Sequence, residues 1–116
     1  MISRSLRFHG HGSLKYLYKN AATFRSRHLT IRCIENPRRK HSRFAVVVSK
    51  KVHKSAIGRN RIRRRIYEIL RGELPTMRKT ADIAVIVTSG EVLMMPSVEL
   101  KRSVQEQLRQ TNIFTP

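Results

Sequence analysis

A single α+β domain is what this sequence predicts, and three observations predict it. The chain has 116 residues, a length that fits one compact unit. Hydrophobic residues make up 40% of it and are gathered into runs, enough to build a packed core despite 28% charged residues. Some runs alternate with period two and others recur with the helix period of 3.6 residues, in the order helix, two or three strands, helix, strand, helix.

Taken in order, residues 1–12 read as a flexible arm, with Gly10 and Gly12 next to His9 and His11. The folded domain is expected over residues 13–110, and residues 111–116 are expected to form a tail. Ser13 can cap a short helix to about residue 20, with Leu14, Leu17 and Tyr18 on one stripe. Over residues 29–34, Leu29, Ile31 and Cys33 point one way and Thr30 and Arg32 the other, the pattern of a strand with one core face. Asn36, Pro37 and the basic run Arg38, Arg39, Lys40 form a turn. Residues 44–49 then read as a β-rich central strand, and the two strands are expected to pair as an antiparallel hairpin.

A helix is predicted from about Ser55 to Gly72, a residue suited to the left-handed position just past a helix terminus. Ile62, Ile66, Ile69 and Leu70 define its buried stripe, and the helical wheel puts Asn60, Arg64, Tyr67 and Arg71 opposite, with Arg61 and Arg63 on the flanks. Pro75 marks a loop and residues 83–88 another buried strand. Ser97 can cap a last helix that turns Leu100, Val104 and Leu108 inward, with Glu99 in the first turn where it suits the helix dipole.

Charge narrows the function. Twenty-five Lys and Arg against seven Asp and Glu give a formal net charge of +18, which repels itself in a compact chain unless a polyanion neutralises it. Nucleic acid is the expected partner, because each cation placed on a phosphate releases condensed counterions. An anionic membrane surface fits less well, since each amphipathic segment is needed for the core. The apolar runs are far shorter than the ~20 residues of a bilayer span. The first residues are too polar for a signal peptide, so a soluble cytoplasmic protein is expected.

The basic residues are also concentrated: thirteen of the 25 lie between Asn36 and Arg71, against the single acid Glu68. Six arginines fall in the thirteen positions from Arg59 to Arg71, more than local ion pairs explain. Arginine grips phosphate oxygens with a planar fork and stacks on bases, and Asn60 adds an amide that both donates and accepts. Structured RNA, with its 2′-hydroxyls and splayed bases, is the natural target. Tyr18 and Tyr67 are candidates for stacking on a base, a contact worth ~1 to 3 kcal/mol.

Side-chain catalysis is not expected. The acids are scattered, with no close pair for two-metal hydrolysis. His9 and His11 lack a third ligand, and His28, His41 and His53 read as surface donors. Cys33, the lone cysteine, reads as a buried core thiol.

The run Arg43-Phe-Ala-Val-Val-Val-Ser-Lys-Lys-Val52, followed by Arg59-Asn-Arg-Ile-Arg-Arg-Arg-Ile-Tyr-Glu68, closely resembles the bacterial ribonuclease P protein subunit. The resemblance extends over roughly residues 7–109, including Asp82 before an apolar strand. It implies an αβββαβα sandwich, ribosomal protein S5 domain 2-like, with a left-handed βαβ crossover. It also implies a protein that assists a catalytic RNA in removing the 5′ leader of precursor tRNA, one protein per RNA, with Mg2+ held mainly by the RNA. By motif match, Arg59, Asn60 and Arg61 would dock on the catalytic RNA, and Lys50, Lys51, Arg63, Arg64 and Arg65 would add phosphate contacts. The leader cleft would take in Leu14, Tyr18, Thr30, Arg32, Arg63 and Tyr67.

Three departures from the family pattern stand out: Leu14 replaces an aromatic, Ala21 and Ala45 stand where glycine is usual, and Ser89 lies where a basic residue is common. Two other readings remain on charge and histidines alone. One is a ribosomal or general RNA-binding protein, the other a metal-dependent nuclease.

Overall fold

The computed structural model describes residues 17, 19–38 and 40–115. Strands β1 (Ala22–Arg25), β2 (Leu29–Glu35) and β3 (Arg43–Val48) precede the basic helix (Ala56–Glu73); β4 (Ala81–Val87) and the C-terminal helix (Ser97–Arg109) follow. Short 3-10 turns lie at Leu74–Thr76 and Gly90–Leu93. Of the predicted leading helix, the described residues 17, 19 and 20 are helical, and the Ala21 N–H bonds the Leu17 carbonyl at 2.9 Å.

The four strands form one mixed sheet in the order β1-β2-β4-β3, with β4 antiparallel to β2 and parallel to β3. The hairpin expected between residues 29–34 and 44–49 is therefore not made, because β4 lies between those strands. Composition suits the insertion: six of the seven β4 residues are buried, and a strand apolar on both faces fits the centre of a sheet. β2 turns instead to β1, a four-residue strand whose single large apolar residue, Phe24, packs on the core. Four residues with one large apolar side chain give too weak a period-two signal to mark a strand.

One sheet face carries Leu29, Ile31, Cys33, Phe44, Val46, Val48, Ile83, Val85 and Val87. Against it lie Ile62, Ile66 and Leu70 of the basic helix and Leu100, Val104 and Leu108 of the C-terminal helix. Both predicted stripes thus face the core, with Ile69 half-buried at the margin. On the opposite face, Leu17 sits over the small residues Ala45 and Ala84. The result is the α+β sandwich expected, with a βαβ unit running from β3 through the basic helix to β4.

Several local expectations are corrected. Gly72 is not a left-handed terminus but lies within the basic helix, which runs on to Glu73. The Leu74 N–H still bonds the Arg71 carbonyl, and Pro75, with no N–H to give, then turns the chain into a 3-10 turn. Ser97 is the first residue of the C-terminal helix rather than its cap, which is Pro96. Residues 111–115 are no loose tail: Ile113 and Phe114 are buried in the core, and Phe114 bridges to Met77. Asn112, at φ 57°, supplies the left-handed residue that folds this segment back.

Buried polar groups tie the pieces together. The Gln107 amide donates to the carbonyls of Phe24 at 2.7 Å and Leu29 at 3.0 Å and accepts from the Ser26 hydroxyl at 2.9 Å, locking the C-terminal helix to the β1–β2 turn. Buried Glu73 meets the Arg109 guanidinium at 3.1 Å, joining the ends of the two helices.

Candidate nucleic-acid interface

The sequence Ser55-Ala-Ile-Gly58 builds the start of the basic helix. The Ser55 hydroxyl accepts from the Gly58 N–H at 3.2 Å, and the Ser55 N–H donates to His53 Nδ1 at 3.2 Å. A Cβ at position 58 would overlap the His53 ring, so glycine is what lets the imidazole lie against the first turn. His53 is thus half-buried in a structural role rather than standing free as a surface donor. Arg59 completes the turn, donating from Nη1 to the carbonyls of His53 at 3.0 Å and Lys54 at 2.8 Å.

Beyond that turn the arginines divide by what they touch. Arg61 and Arg64 are exposed and make no hydrogen bond or ion pair with another described residue. Lys50 and Lys51 are exposed at the end of β3. Asn60 is exposed and accepts from Arg63 Nη1 at 2.6 Å, while Arg71 pairs with Glu68 at 3.1 Å.

Arg65, expected to add a phosphate contact, is engaged with the protein's own backbone. Its Nη1 donates to the carbonyls of Val92 at 2.6 Å and Leu93 at 2.9 Å, and its Nη2 to that of Met95. Helical position could not reveal this, because the carbonyls come from a turn 27 to 30 residues away.

Tyr67 is the second correction. Expected on the exposed cationic face, it is 7% exposed, and its hydroxyl accepts from the Val46 N–H at 3.2 Å. β3 is an edge strand, and an aromatic ring on the flank of the basic helix covers that edge.

The second sheet face presents a half-buried row of Thr30, Ile86 and Val47 in register, with Arg25 paired to Thr30. In the next row Arg32 donates from Nε to the Thr23 hydroxyl at 3.1 Å. Thr30 and Arg32 therefore share the non-core face, as their alternation predicts. Leu14 and Tyr18, assigned to the same cleft, lie outside the described residues. Arg63 is held at Asn60 and Tyr67 at the β3 edge. Sequence reasoning missed Thr23, Arg25, Val47 and Ile86; the signal for the last two was their alternation with core residues in strands already predicted. At the far end of this face, Arg43 grips Asp82 with Nε at 3.0 Å and Nη2 at 2.8 Å, and Asn36 donates to the same carboxylate at 3.2 Å.

Among the described residues no three His, Cys, Asp or Glu side chains converge as a metal site. Burial, with Glu35 adding to it, pushes the Cys33 thiol up to about 11. His28, expected as a surface donor, is largely buried, with Nδ1 3.7 Å from Glu91 Oε2. Ser89, where the resemblance led to a basic residue, accepts from the Glu91 N–H at 3.2 Å and caps the 3-10 turn. No helix among the described residues is long and apolar enough to cross a membrane.

A packed sheet that carries a helix with exposed, unneutralised guanidinium groups defines an α+β protein of the polyanion-binding kind. The family model for ribonuclease P matches residues 2–112. Relatives include the ribonuclease P protein components of a Synechocystis species, 29% identical over 74% of this chain and 69% of that protein, and of a Cyanothece species, 28% identical over 75% and 78%. The fold is similar to that of the RNase P protein of Staphylococcus aureus, with TM-score 0.84 and 24% identity over 95% of this chain and 98% of that one. It is also similar to that of Thermotoga maritima, with TM-score 0.79 and 20% identity over 90% and 96%. The chain belongs to the ribonuclease P family.

Proposed function

We propose that this chain is the protein subunit of a ribonuclease P ribonucleoprotein, docking on a catalytic RNA and holding the 5′ leader of precursor tRNA during 5′ maturation in the cytoplasm. The observation that carries this reading is the pair of exposed guanidinium groups, Arg61 and Arg64, on a helix whose other side is fixed in the core of a family member. Lys50, Lys51, Arg59 with its remaining donors, Asn60 and Arg63 extend the same surface. A helix already fixed in the core brings these guanidinium groups to phosphates without first having to order its own backbone.

In this reading the row of Thr30, Val47 and Ile86, flanked by Arg25 and Arg32, receives the single-stranded leader. Half-buried apolar side chains offer a floor for bases, and the two arginines offer charge to the backbone. The protein contributes binding and orientation, whereas Mg2+ and the hydrolysis belong to the RNA. One protein binds each RNA.

Reconstitution tests the reading. The protein alone should leave precursor tRNA uncut, and addition to a bacterial ribonuclease P RNA should restore cleavage at lower magnesium than the RNA needs by itself. No stimulation, together with co-sedimentation with ribosomal subunits and equal affinity for precursor and mature tRNA, would favour a general RNA-binding protein instead.

A further inference from the structure

We propose that Arg65 is a positioning residue, which sets the pose of the RNA-binding loop at Lys50 and Lys51 by clamping the turn after β4 to the basic helix. The inference rests on the RNA-docking reading above and assigns Arg65 a role different from that of its neighbours. Its two terminal nitrogens reach three carbonyls, those of Val92, Leu93 and Met95, along the turn and its exit. A planar fork with fixed donor directions can hold such a set; a single ammonium point charge cannot match it. Drawing Arg65 out to a phosphate would leave those acceptors without this donor.

The clamped turn in turn bears on the loop that carries the lysines. A Cβ at Gly90 would stand 2.9 Å from the Val52 carbonyl oxygen, so the turn lies flush against the loop. Within that loop the N–H groups of Val52 and His53 both bond the Ser49 carbonyl, at 3.1 and 3.3 Å, enclosing Lys50 and Lys51. The loop's far end is held by Arg59 at the His53 and Lys54 carbonyls. Arg65, the Gly90 turn, Val52 and Arg59 thus form a frame around Lys50 and Lys51.

The test compares Arg65→Ala, Arg65→Lys, Gly90→Ala and, as a phosphate-contact control, Arg64→Ala in the full chain. Dissociation constants for a bacterial ribonuclease P RNA are measured across a salt series, at a temperature where circular dichroism shows each variant folded. Amide exchange at Val52 and His53 is followed in the free protein. Arg65→Ala should weaken binding roughly two- to thirtyfold, as for residues that act through others, with the log-log salt slope unchanged. Arg64→Ala should lower that slope by ~0.7 to 0.9. Arg65→Lys, which keeps the charge but not the fork, should recover only part of the loss. Gly90→Ala, which removes no charge, should weaken binding too, and exchange at Val52 and His53 should rise in both Arg65→Ala and Gly90→Ala.

A slope that falls in Arg65→Ala and returns fully in Arg65→Lys would overturn the proposal in favour of a phosphate contact. Unchanged affinity and exchange in folded Arg65→Ala would overturn it as well, leaving a brace for the turn alone. If the unaltered protein does not bind the RNA, the docking reading fails, and the amide exchange then decides the clamp by itself.

Discussion

The Tyr67 hydroxyl accepts a hydrogen bond from the Val46 backbone N–H at 3.2 Å, so a side chain from the basic helix serves the outer edge of the strand that leads into it. An edge strand presents unpaired N–H groups, and a buried one left without a partner costs about 1 to 3 kcal/mol. Tyr67→Phe should therefore lower stability by about 1 to 3 kcal/mol in urea unfolding. Affinity for the catalytic RNA should change less than threefold on the order-of-magnitude scale expected of a group not in contact with it. A large loss of RNA or leader affinity in the folded variant would return Tyr67 to the stacking role.

Arg61 and Arg64 face solvent without a partner among the described residues, so each is available to release counterions from RNA. Arg61→Ala and Arg64→Ala should each flatten the log-log salt dependence of RNA binding by ~0.7 to 0.9 while leaving the melting temperature nearly unchanged. The double variant should show the sum. Unaltered slopes would mean that these side chains remain in water in the complex.

Arg32 lies across the sheet from the basic helix's core contacts, half-buried and bonded to Thr23 at 3.1 Å. Arg32→Ala should weaken the affinity of the assembled holoenzyme for a precursor with a leader and leave both mature tRNA binding and holoenzyme assembly intact. Fluorescence binding with leaders of graded length separates the two steps. Equal effects on both would end the division between a docking helix and a leader face.

Cys33 has a pH-dependent signature. Burial disfavours the thiolate and raises its value from the ordinary 9.0 to about 11, so in the folded chain the proton is held longer than in the unfolded one. At pH 9 about half of unfolded thiols are ionised but only roughly one in a hundred folded ones. Iodoacetamide should therefore label Cys33 far more slowly in native protein than in urea. Since the unfolded state loses its proton first, this group's contribution to stability declines as pH rises from about 9 towards 11. Rapid native labelling at pH 9 would contradict that burial.

Much of this protein is written locally in its chain. Period-two alternation marked β2 and its non-core pair Thr30 and Arg32. Helical spacing marked Ile62, Ile66 and Leu70 and the C-terminal stripe, and the density of arginines marked the cationic face of the basic helix. These features depend on residues close in sequence, which meet on one face by the geometry of a single element.

What the tertiary structure alone decided depends on partners far along the chain. β4 separates β2 from β3, and six of its seven residues are buried there; β3 is also apolar on both faces, so composition alone does not say which of the two takes the centre. Tyr67 turns inward because β3 is left at an edge. Arg65 turns to the protein itself because a turn after β4 brings three carbonyls to it. Helical position told these residues from the core stripe, but a guanidinium or a phenol goes where its donors and acceptors are satisfied, and that is settled only by what packs beside it.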